Sequence, residues 1–264
     1  MHSPKLNFLR LFLLAFLINI TAQAIHETGH LLVYQIYGRN PTWGFIGLVQ
    51  LWNTQPEDPS QWVETSTPEG EIGWLKLDSL PSEKSEIAII GAAGPLASLL
   101  CAGLGLYLTY KYNRKNAVVK YASLMLSLST ALTMSLYYLR SPLRVIGDEY
   151  DMAVYFGITK IFVEIPLALI FIACIVLGLR SLNSWQARTT WFLSCFLGSA
   201  SSGILLMTLD GQVREAVNKG IPLFQSIMGY SMPVLLVYSL AVFGIIAWQL
   251  NTKQMLRAST QAGE

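Results

Sequence analysis

The sequence predicts an all-α membrane protein with about six transmembrane helices and a short β-like interfacial loop after the first helix. Of the 264 residues, 53% are hydrophobic and only 13% are charged, whereas a soluble globular domain carries about 25% charged residues. In addition, six apolar stretches are long enough to cross a bilayer, which takes about 20 residues per helix. We therefore expect one polytopic membrane domain over residues 1–264.

The predicted spans follow one another with short connections, except after the first. The second and third are close enough in the chain to form one hairpin. The six spans cover residues 7–34, 86–110, 117–138, 159–179, 189–209 and 229–250.

The first span ends in a polar motif, His26-Glu27-Thr28-Gly29-His30. Residues four apart share one helix face, so His26 and His30 can offer two imidazoles to one metal ion. Glu27 stands beside them as a candidate general base. An ionisable group inside a bilayer costs about 2.5–3.5 kcal/mol on insertion scales. We therefore favour a functional site over the alternative, a chance HExxH on a helix that ends at the membrane interface.

The N-terminus also has features of a signal peptide. Basic residues at 5 and 10 precede an apolar run from Leu11, and Ala22-Gln23-Ala24 is an A-x-A cleavage pattern. Cleavage would leave Ile25 at the start of the mature chain and place the polar motif at a frayed end. We therefore expect the first helix to remain uncleaved.

Residues 39–85 form the longest predicted segment outside the membrane. It opens with the turn signal Asn40-Pro41, and residues 42–52 are bulky and β-branched, which favours a short strand or hairpin. A strand edge here could pair with an extended peptide, and an inert interfacial loop is the alternative. Four tryptophans suggest that the segment lies at the level of the lipid headgroups. They are Trp43, Trp52, Trp62 and Trp74.

The second span begins with small residues that permit close approach of a neighbouring helix. Pro95 lies among them and frees a backbone carbonyl for another partner. The small residues are Gly91, Ala92, Ala93, Gly94, Ala97 and Ser98.

A short acidic segment follows the third span, where residues 140–151 read RSPLRVIGDEYD. A catalytic zinc ion needs a third protein ligand, and a carboxylate is a regular choice beside two histidines. Asp148 is the first candidate for this ligand, and Asp151 and Asp210 are its rivals. The alternative role for Asp148 or Asp151 is to cap the next helix.

These motifs together resemble the site-2 protease family of intramembrane zinc metalloproteases. The resemblance rests on HETGH in the first span, Ala92-Ala93-Gly94-Pro95 in the second and an aspartate after the third. It extends over residues 20–155. It implies a protease core within residues 1–155, to which residues 156–264 add packing helices.

The resemblance further implies a function and a set of site residues. His26, His30 and Asp148 would bind Zn²⁺, and Glu27 would be the catalytic residue that activates a water molecule at the metal. The protein would then cleave membrane-embedded segments of a membrane-protein or peptide substrate. The alternative is a non-catalytic membrane protein that keeps this fold and binds zinc or a helical partner.

The charge and the cysteines bear on two further questions, namely nucleic-acid binding and the role of the thiols. The net charge is only +2, and no basic cluster with interleaved aromatic residues occurs, so we expect no nucleic-acid partner. Cys101, Cys174 and Cys195 all fall in apolar spans without a CxxC pair. We interpret them as small buried hydrophobic residues.

The basic residues predict an orientation in the cell membrane. With both termini inside, ten of the 18 Lys and Arg residues lie on the cytoplasmic side. By the positive-inside rule, the polar end of the first span then lies toward the outside. The ten are Lys5, Arg10, Lys111, Arg114, Lys115, Lys120, Arg180, Arg188, Lys253 and Arg257.

Overall fold

The computed structural model describes residues 7–49, 51–52, 60, 62–66, 72–113, 115–140 and 147–261. Six helices in this part of the chain are long and apolar enough to cross a membrane. The predicted all-α multi-pass membrane fold is therefore confirmed, while the kind of membrane and the orientation stay predictions. The helices are α1 (Phe8–Ile36), α2 (Lys84–Lys111), α3 (Ala117–Arg140), α4 (Asp148–Phe156), α5 (Ile161–Arg180), α6 (Trp185–Asn218) and α7 (Met232–Gln261).

Helix α1 is the centre of the bundle and packs against α2, α3, α6 and α7. One face of its first half is buried in a cluster with residues of α3 and α6. Gly198 lets α6 approach closely, because a Cβ there would lie 2.7 Å from the Cβ of Ala15. Asn19 adds polar contacts in mid-helix, since it donates to Ser202 Oγ at 2.8 Å and accepts from Thr133 Oγ1 at 2.7 Å. Three helices are thus tied together within the bundle.

Helices α2 and α3 form the predicted hairpin and pack side by side. Gly105 allows the close contact, because a Cβ there would lie 2.8 Å from the backbone of Ser123 and Ser127. Helix α5 closes the outer side of α3, where Tyr138 and Phe171 stack with centroids 6.1 Å apart. The three cysteines are free and buried, as predicted.

Helix α4 is an element that the sequence interpretation treated as a loop. Its first turn carries Asp148, Glu149 and Asp151, whose negative charges are favourable at a helix N-terminus. It ends at Gly157, which has the left-handed conformation of a C-cap, with φ of 64°. The N-cap is Gly147, without a side-chain hydrogen bond. The capping alternative for the two aspartates is therefore wrong.

Helix α6 is longer than the predicted span, which ended at residue 209. It continues to Asn218 because polar pairs at i and i+4 support the last turns, such as Arg214 with Asp210 at 3.2 Å. It stops before Gly220, whose φ of 66° is left-handed. Asp210 therefore lies inside a helix and not at its end.

The loop after α1 contains β structure, as predicted. Three short strands form an antiparallel sheet in the order β1-β3-β2. A second pair joins β4 and β5 between α6 and α7. Residues 50, 53–59, 61 and 67–71 of the loop, and residues 141–146 before α4, lie outside the described residues. The strands are β1 (Leu51–Trp52), β2 (Trp62–Ser66), β3 (Ile72–Lys76), β4 (Ser226–Ile227) and β5 (Tyr230–Ser231).

Residues 42–49 fold back on themselves, and we call this segment the 42–49 turn. Val49 N donates to Thr42 O and Gly44 N to Gly47 O, both at 2.9 Å, while Trp43 N donates to Gly229 O at 2.7 Å. These internal bonds occupy backbone groups that pairing with a peptide would require. The predicted hairpin is thus present, but its backbone hydrogen bonds are made within this chain and not to a peptide.

The 42–49 turn is buried, which corrects the expected position of Trp43 at the headgroup level. Trp43 is 4% exposed and Phe45 1%, and both pack in a cluster with α1, α6 and α7. Trp62 and Trp74 are partly exposed, and the side chain of Trp52 lies outside the described residues. An amphipathic indole suits either a membrane interface or a buried site with a hydrogen-bond acceptor. Trp43 occupies a buried site.

Candidate metal centre

Three side chains that the sequence singled out meet at the end of α1. The Nε2 atoms of His26 and His30 lie 3.2 Å apart. Asp148 Oδ2 lies 3.4 Å from the first and 3.3 Å from the second. The three atoms form a nearly equilateral triangle, so they can serve as three ligands to one ion.

The size of this triangle fits a tetrahedral metal ion. Bonds of about 2.0–2.2 Å, which zinc makes to histidine nitrogen and carboxylate oxygen, place neighbouring ligand atoms about 3.3–3.6 Å apart. The observed edges of 3.2–3.4 Å agree with that spacing. Three protein ligands leave the fourth position of a tetrahedron open, as in catalytic sites.

Helix α2 orients both imidazoles. His30 Nδ1 lies 2.7 Å from the carbonyl oxygen of Ile90, and a carbonyl can only accept, so we infer that Nδ1 carries the proton. His26 Nδ1 lies 2.9 Å from Ser98 Oγ. With the protons on Nδ1, the two Nε2 lone pairs would be free to bind a metal ion beside the Asp148 carboxylate. Without such an ion, a proton on an imidazole Nε2 would donate to Asp148 instead, because acceptors in mutual contact are unfavourable.

Close approach of α2 to α1 depends on the small residues identified in the sequence. A Cβ on Gly29 would lie 2.6 Å from the carbonyl oxygen of Ala93. A Cβ on Gly94 would overlap the His30 ring at Nε2, the atom that faces the metal position. Gly94 therefore leaves room for the edge of the imidazole that a metal ion in this cluster would contact.

We expect Gly94→Ala to remove metal binding. The added methyl group must displace His30 or separate α1 from α2, and overpacking of this kind costs about 1–3 kcal/mol of stability. Metal content per chain and the thermal unfolding temperature measure the two effects. Gly103→Ala on the same helix is the matched control, because nothing lies within 4 Å of its Cβ position. Full metal binding by Gly94→Ala would contradict the assigned geometry.

Asp148 is brought to the histidines by the contact of α4 with α2. A Cβ on Gly91 would lie 2.8 Å from the Asp148 carbonyl oxygen, so a glycine is needed where the helices cross. Burial would raise the pKa of the Asp148 carboxyl, but hydrogen bonds with His26 and His30 outweigh burial and hold this pKa well below its usual range. Asp148 is therefore ionised and available as a ligand.

The two rival ligands do not join the cluster. Asp151 lies one turn further along α4, where burial and the charges of Asp148 and Glu149 raise its pKa to about 6. Asp210 Oδ1 accepts from the backbone N–H of Ile46 at 2.9 Å, and its Oδ2 accepts from Arg214 at 3.2 Å. Asp210 thus holds the 42–49 turn.

Glu27 is buried beside the two histidines and accepts three hydrogen bonds. Its Oε2 accepts from the indole N–H of Trp43 at 2.7 Å and from the backbone N–H of Gly47 at 3.1 Å. Its Oε1 accepts from the side-chain amide of Gln23 at 2.6 Å. The donors compensate for the burial of the carboxylate and fix its direction.

Sequence reasoning found Glu27 but missed its donors. Gln23 is four residues before Glu27 on α1, and this helical spacing is a local signal for a side-chain contact. Trp43 carries no such signal. It also stacks on His30 with ring centroids 5.9 Å apart, so one indole contacts both the candidate base and a candidate ligand.

A small cavity adjoins His26 on the side of α3. Its volume is about 10 Å³, which is close to the space that one water molecule needs. Apolar atoms form most of its wall, but six of its eight lining residues carry polar side chains, so a water molecule there would find hydrogen-bond partners. The lining residues are Asn19, Ala22, Gln23, His26, Ser98, Thr130, Thr133 and Met134.

Comparisons with models of protein families, with curated proteins and with solved structures gave no match to this chain. The interpretation of the site therefore rests on the geometry and chemistry of its own residues.

Proposed function

We propose that this protein is an intramembrane zinc metalloprotease that cleaves membrane-embedded peptide segments. The observation that carries the proposal is the triangle of His26, His30 and Asp148, with Glu27 on the same helix as the two histidines. The location of the two histidines supports it as well, because their helix is long and apolar enough to cross a membrane.

Zinc is the ion that suits these donors best. Two imidazole nitrogens and one carboxylate oxygen with an open fourth position are a regular set for catalytic zinc. Magnesium and calcium prefer sites made of oxygen atoms alone. A zinc ion held here would lower the pKa of a water molecule to about 7 and polarise a peptide carbonyl.

Glu27 is the residue that would accept a proton from the attacking water. Trp43 and Gly47 hold its Oε2, while Oε1 has a single described donor, Gln23. A carboxylate oxygen can accept two hydrogen bonds, so Oε1 can accept a further one from water. In the proposed reaction Glu27 takes a proton from the attacking water and passes it to the leaving amine.

The substrate must offer an extended backbone at the site. The peptide bonds of a helix are shielded by their own hydrogen bonds and side chains, so a transmembrane substrate must unwind locally before attack. We therefore expect substrates with helix-breaking residues near the cleaved bond.

Trp43→Phe should lower the cleavage rate while zinc stays bound. Phenylalanine keeps an aromatic ring beside His30 but lacks the N–H that holds Glu27. A hydrogen bond to a charged group contributes about 1.5–3 kcal/mol, which corresponds to a rate loss of about 10–100-fold. Trp185→Phe is the matched control, since Trp185 is exposed at the start of α6. An unchanged rate for Trp43→Phe would argue against this role of the indole.

The full chain reconstituted in liposomes with zinc provides the test of the proposal. The probes are single-span peptides with and without a glycine-proline pair in the span, and cleavage is followed by mass spectrometry. We expect about one zinc ion per chain and cleavage of the pair-containing peptide, which a chelator abolishes. Failure to bind zinc would overturn the proposal.

A second candidate function is a non-catalytic zinc-binding membrane protein of the same fold. One observation favours it, namely that both Glu27 oxygens already accept hydrogen bonds from this chain. The two functions differ in outcome, because the second predicts stoichiometric zinc without cleavage of either peptide.

A further inference from the structure

Three charged side chains lie largely buried where α4 meets α5, and none of them belongs to the cluster of His26, His30 and Asp148. Lys160 Nζ lies 3.1 Å from Glu149 Oε1 and 3.2 Å from Glu164 Oε1. The side chains of Glu149 and Glu164 are 0% and 2% exposed, and that of Lys160 is 12% exposed. We call these three residues the Lys160 clamp.

Stability alone gives little reason for this arrangement. Removing charges from water is costly, and apolar residues of similar volume often stabilise a protein as well as a buried ion pair does. In addition, Lys160 is the N-cap of α5, where the helix dipole disfavours a positive charge. Buried ion pairs are best attested as devices that select one register between packed elements, and the Lys160 clamp joins α4 to α5.

The Lys160 clamp holds the helix that carries the third candidate ligand. Glu149 directly follows Asp148, whose Oδ2 faces both imidazoles. Helix α4 has only nine residues, and helices this short are not stable without tertiary contacts. One residue of rotation turns a helix by about 100°, which would carry Asp148 away from the histidines.

The start of α4 is constrained at the same point. Gly147 has φ of 131°, and a Cβ there would lie 2.8 Å from Glu149 Oε1 and 2.6 Å from the hydroxyl of Tyr137. The chain therefore turns tightly into α4 while Glu149 points toward Lys160. Helix α4 is thus held on two sides, by its crossing with α2 at Gly91 and by the Lys160 clamp.

We infer that Lys160 is a positioning residue of the metal centre, which joins Glu149 on α4 to Glu164 on α5 and thereby holds the Asp148 carboxylate at the two imidazoles. This inference rests on the metal site proposed above. It concerns metal geometry, so its test does not depend on a substrate.

Lys160→Met is the first variant to test, with cobalt(II) as the probe ion. Loss of an orienting partner typically lowers metal affinity about 10–100-fold, and we expect that loss here, together with a change of the cobalt visible spectrum toward that of Asp148→Asn. Lys160→Arg should restore both, because it keeps the charge and the hydrogen-bond donors. Lys219→Met is the control, since Lys219 forms an exposed pair with Glu215.

A triple variant separates positioning from folding. Lys160→Met alone leaves two buried carboxylates without their cation, whereas combining it with Glu149→Gln and Glu164→Gln removes all three charges. We expect the triple variant to unfold at close to the wild-type temperature and yet to bind cobalt weakly. Wild-type affinity and spectrum in the triple variant would overturn the inference alone. Wild-type protein that binds neither zinc nor cobalt would instead overturn the proposed function, and the inference with it.

Discussion

Glu27→Gln is expected to lower cleavage by about 10²–10⁴-fold, the usual contribution of a general acid–base group, and to leave zinc binding intact. Glutamine has the same shape but cannot take a proton from water. Its carbonyl oxygen can still accept from Trp43 and Gly47, and its amide can donate to Gln23 once the Gln23 amide is flipped. The fold and the three ligand atoms should therefore be retained.

The measurement is the single-turnover cleavage rate of the pair-containing peptide, together with zinc per chain. Glu83→Gln is the matched control, because Glu83 is exposed before α2 and distant in the chain from the cluster. Cleavage at the wild-type rate by Glu27→Gln would exclude Glu27 as the base. Loss of zinc from this variant would show that Glu27 contributes to zinc binding and not to the activation of water.

Asp148→Asn should lower zinc affinity, whereas Asp210→Asn should leave it unchanged. Asp148→Asn removes a charged ligand atom that lies 3.3–3.4 Å from both imidazole nitrogens. We expect its zinc affinity to fall by more than the roughly 10–100-fold that loss of an outer-shell partner costs. His30→Ala should have at least as large an effect.

Asp210→Asn is the internal comparison, because Asp210 was a rival of Asp148 in the sequence. Its carboxylate binds the 42–49 turn and Arg214, so the variant should keep wild-type zinc affinity. It should still slow cleavage, since the turn holds Glu27. Competition with a calibrated chelator measures both affinities. The reverse order of affinities would assign the third ligand to Asp210.

The local part of the site could be read from the sequence. In any α-helix, residues at i and i+4 share a face, so the pairing of His26 and His30 follows from the helix alone. The close approach of a neighbouring helix was also predicted, from the small residues around Gly94. Apolar length identified the six spans, because a bilayer sets the minimum length of each helix, although α6 and α7 continue nine and eleven residues beyond their predicted ends.

Contacts between residues that are distant in the chain could not be predicted from the sequence, for equally physical reasons. A carboxylate has the same ligand atoms wherever it lies, so the sequence favoured Asp148 but left Asp151 and Asp210 as rivals until the contact of α4 with α2 was known. Trp43 was assigned to the interface because an indole suits both an interface and a buried hydrogen bond. Glu164 lies four residues after Lys160 and could be read as its partner, but Glu149 lies on another helix and could not.

What this chain's composition and periodicity specify is therefore a membrane-spanning bundle with two histidines and a glutamate on one helix. Packing makes the remaining choices. It selects Asp148 as the third atom of the cluster, assigns Asp210 to the 42–49 turn and gives Glu27 its donors. The reason is that helical geometry acts over one turn of chain, whereas the distance between side chains on different helices depends on which surfaces fit together in the whole bundle.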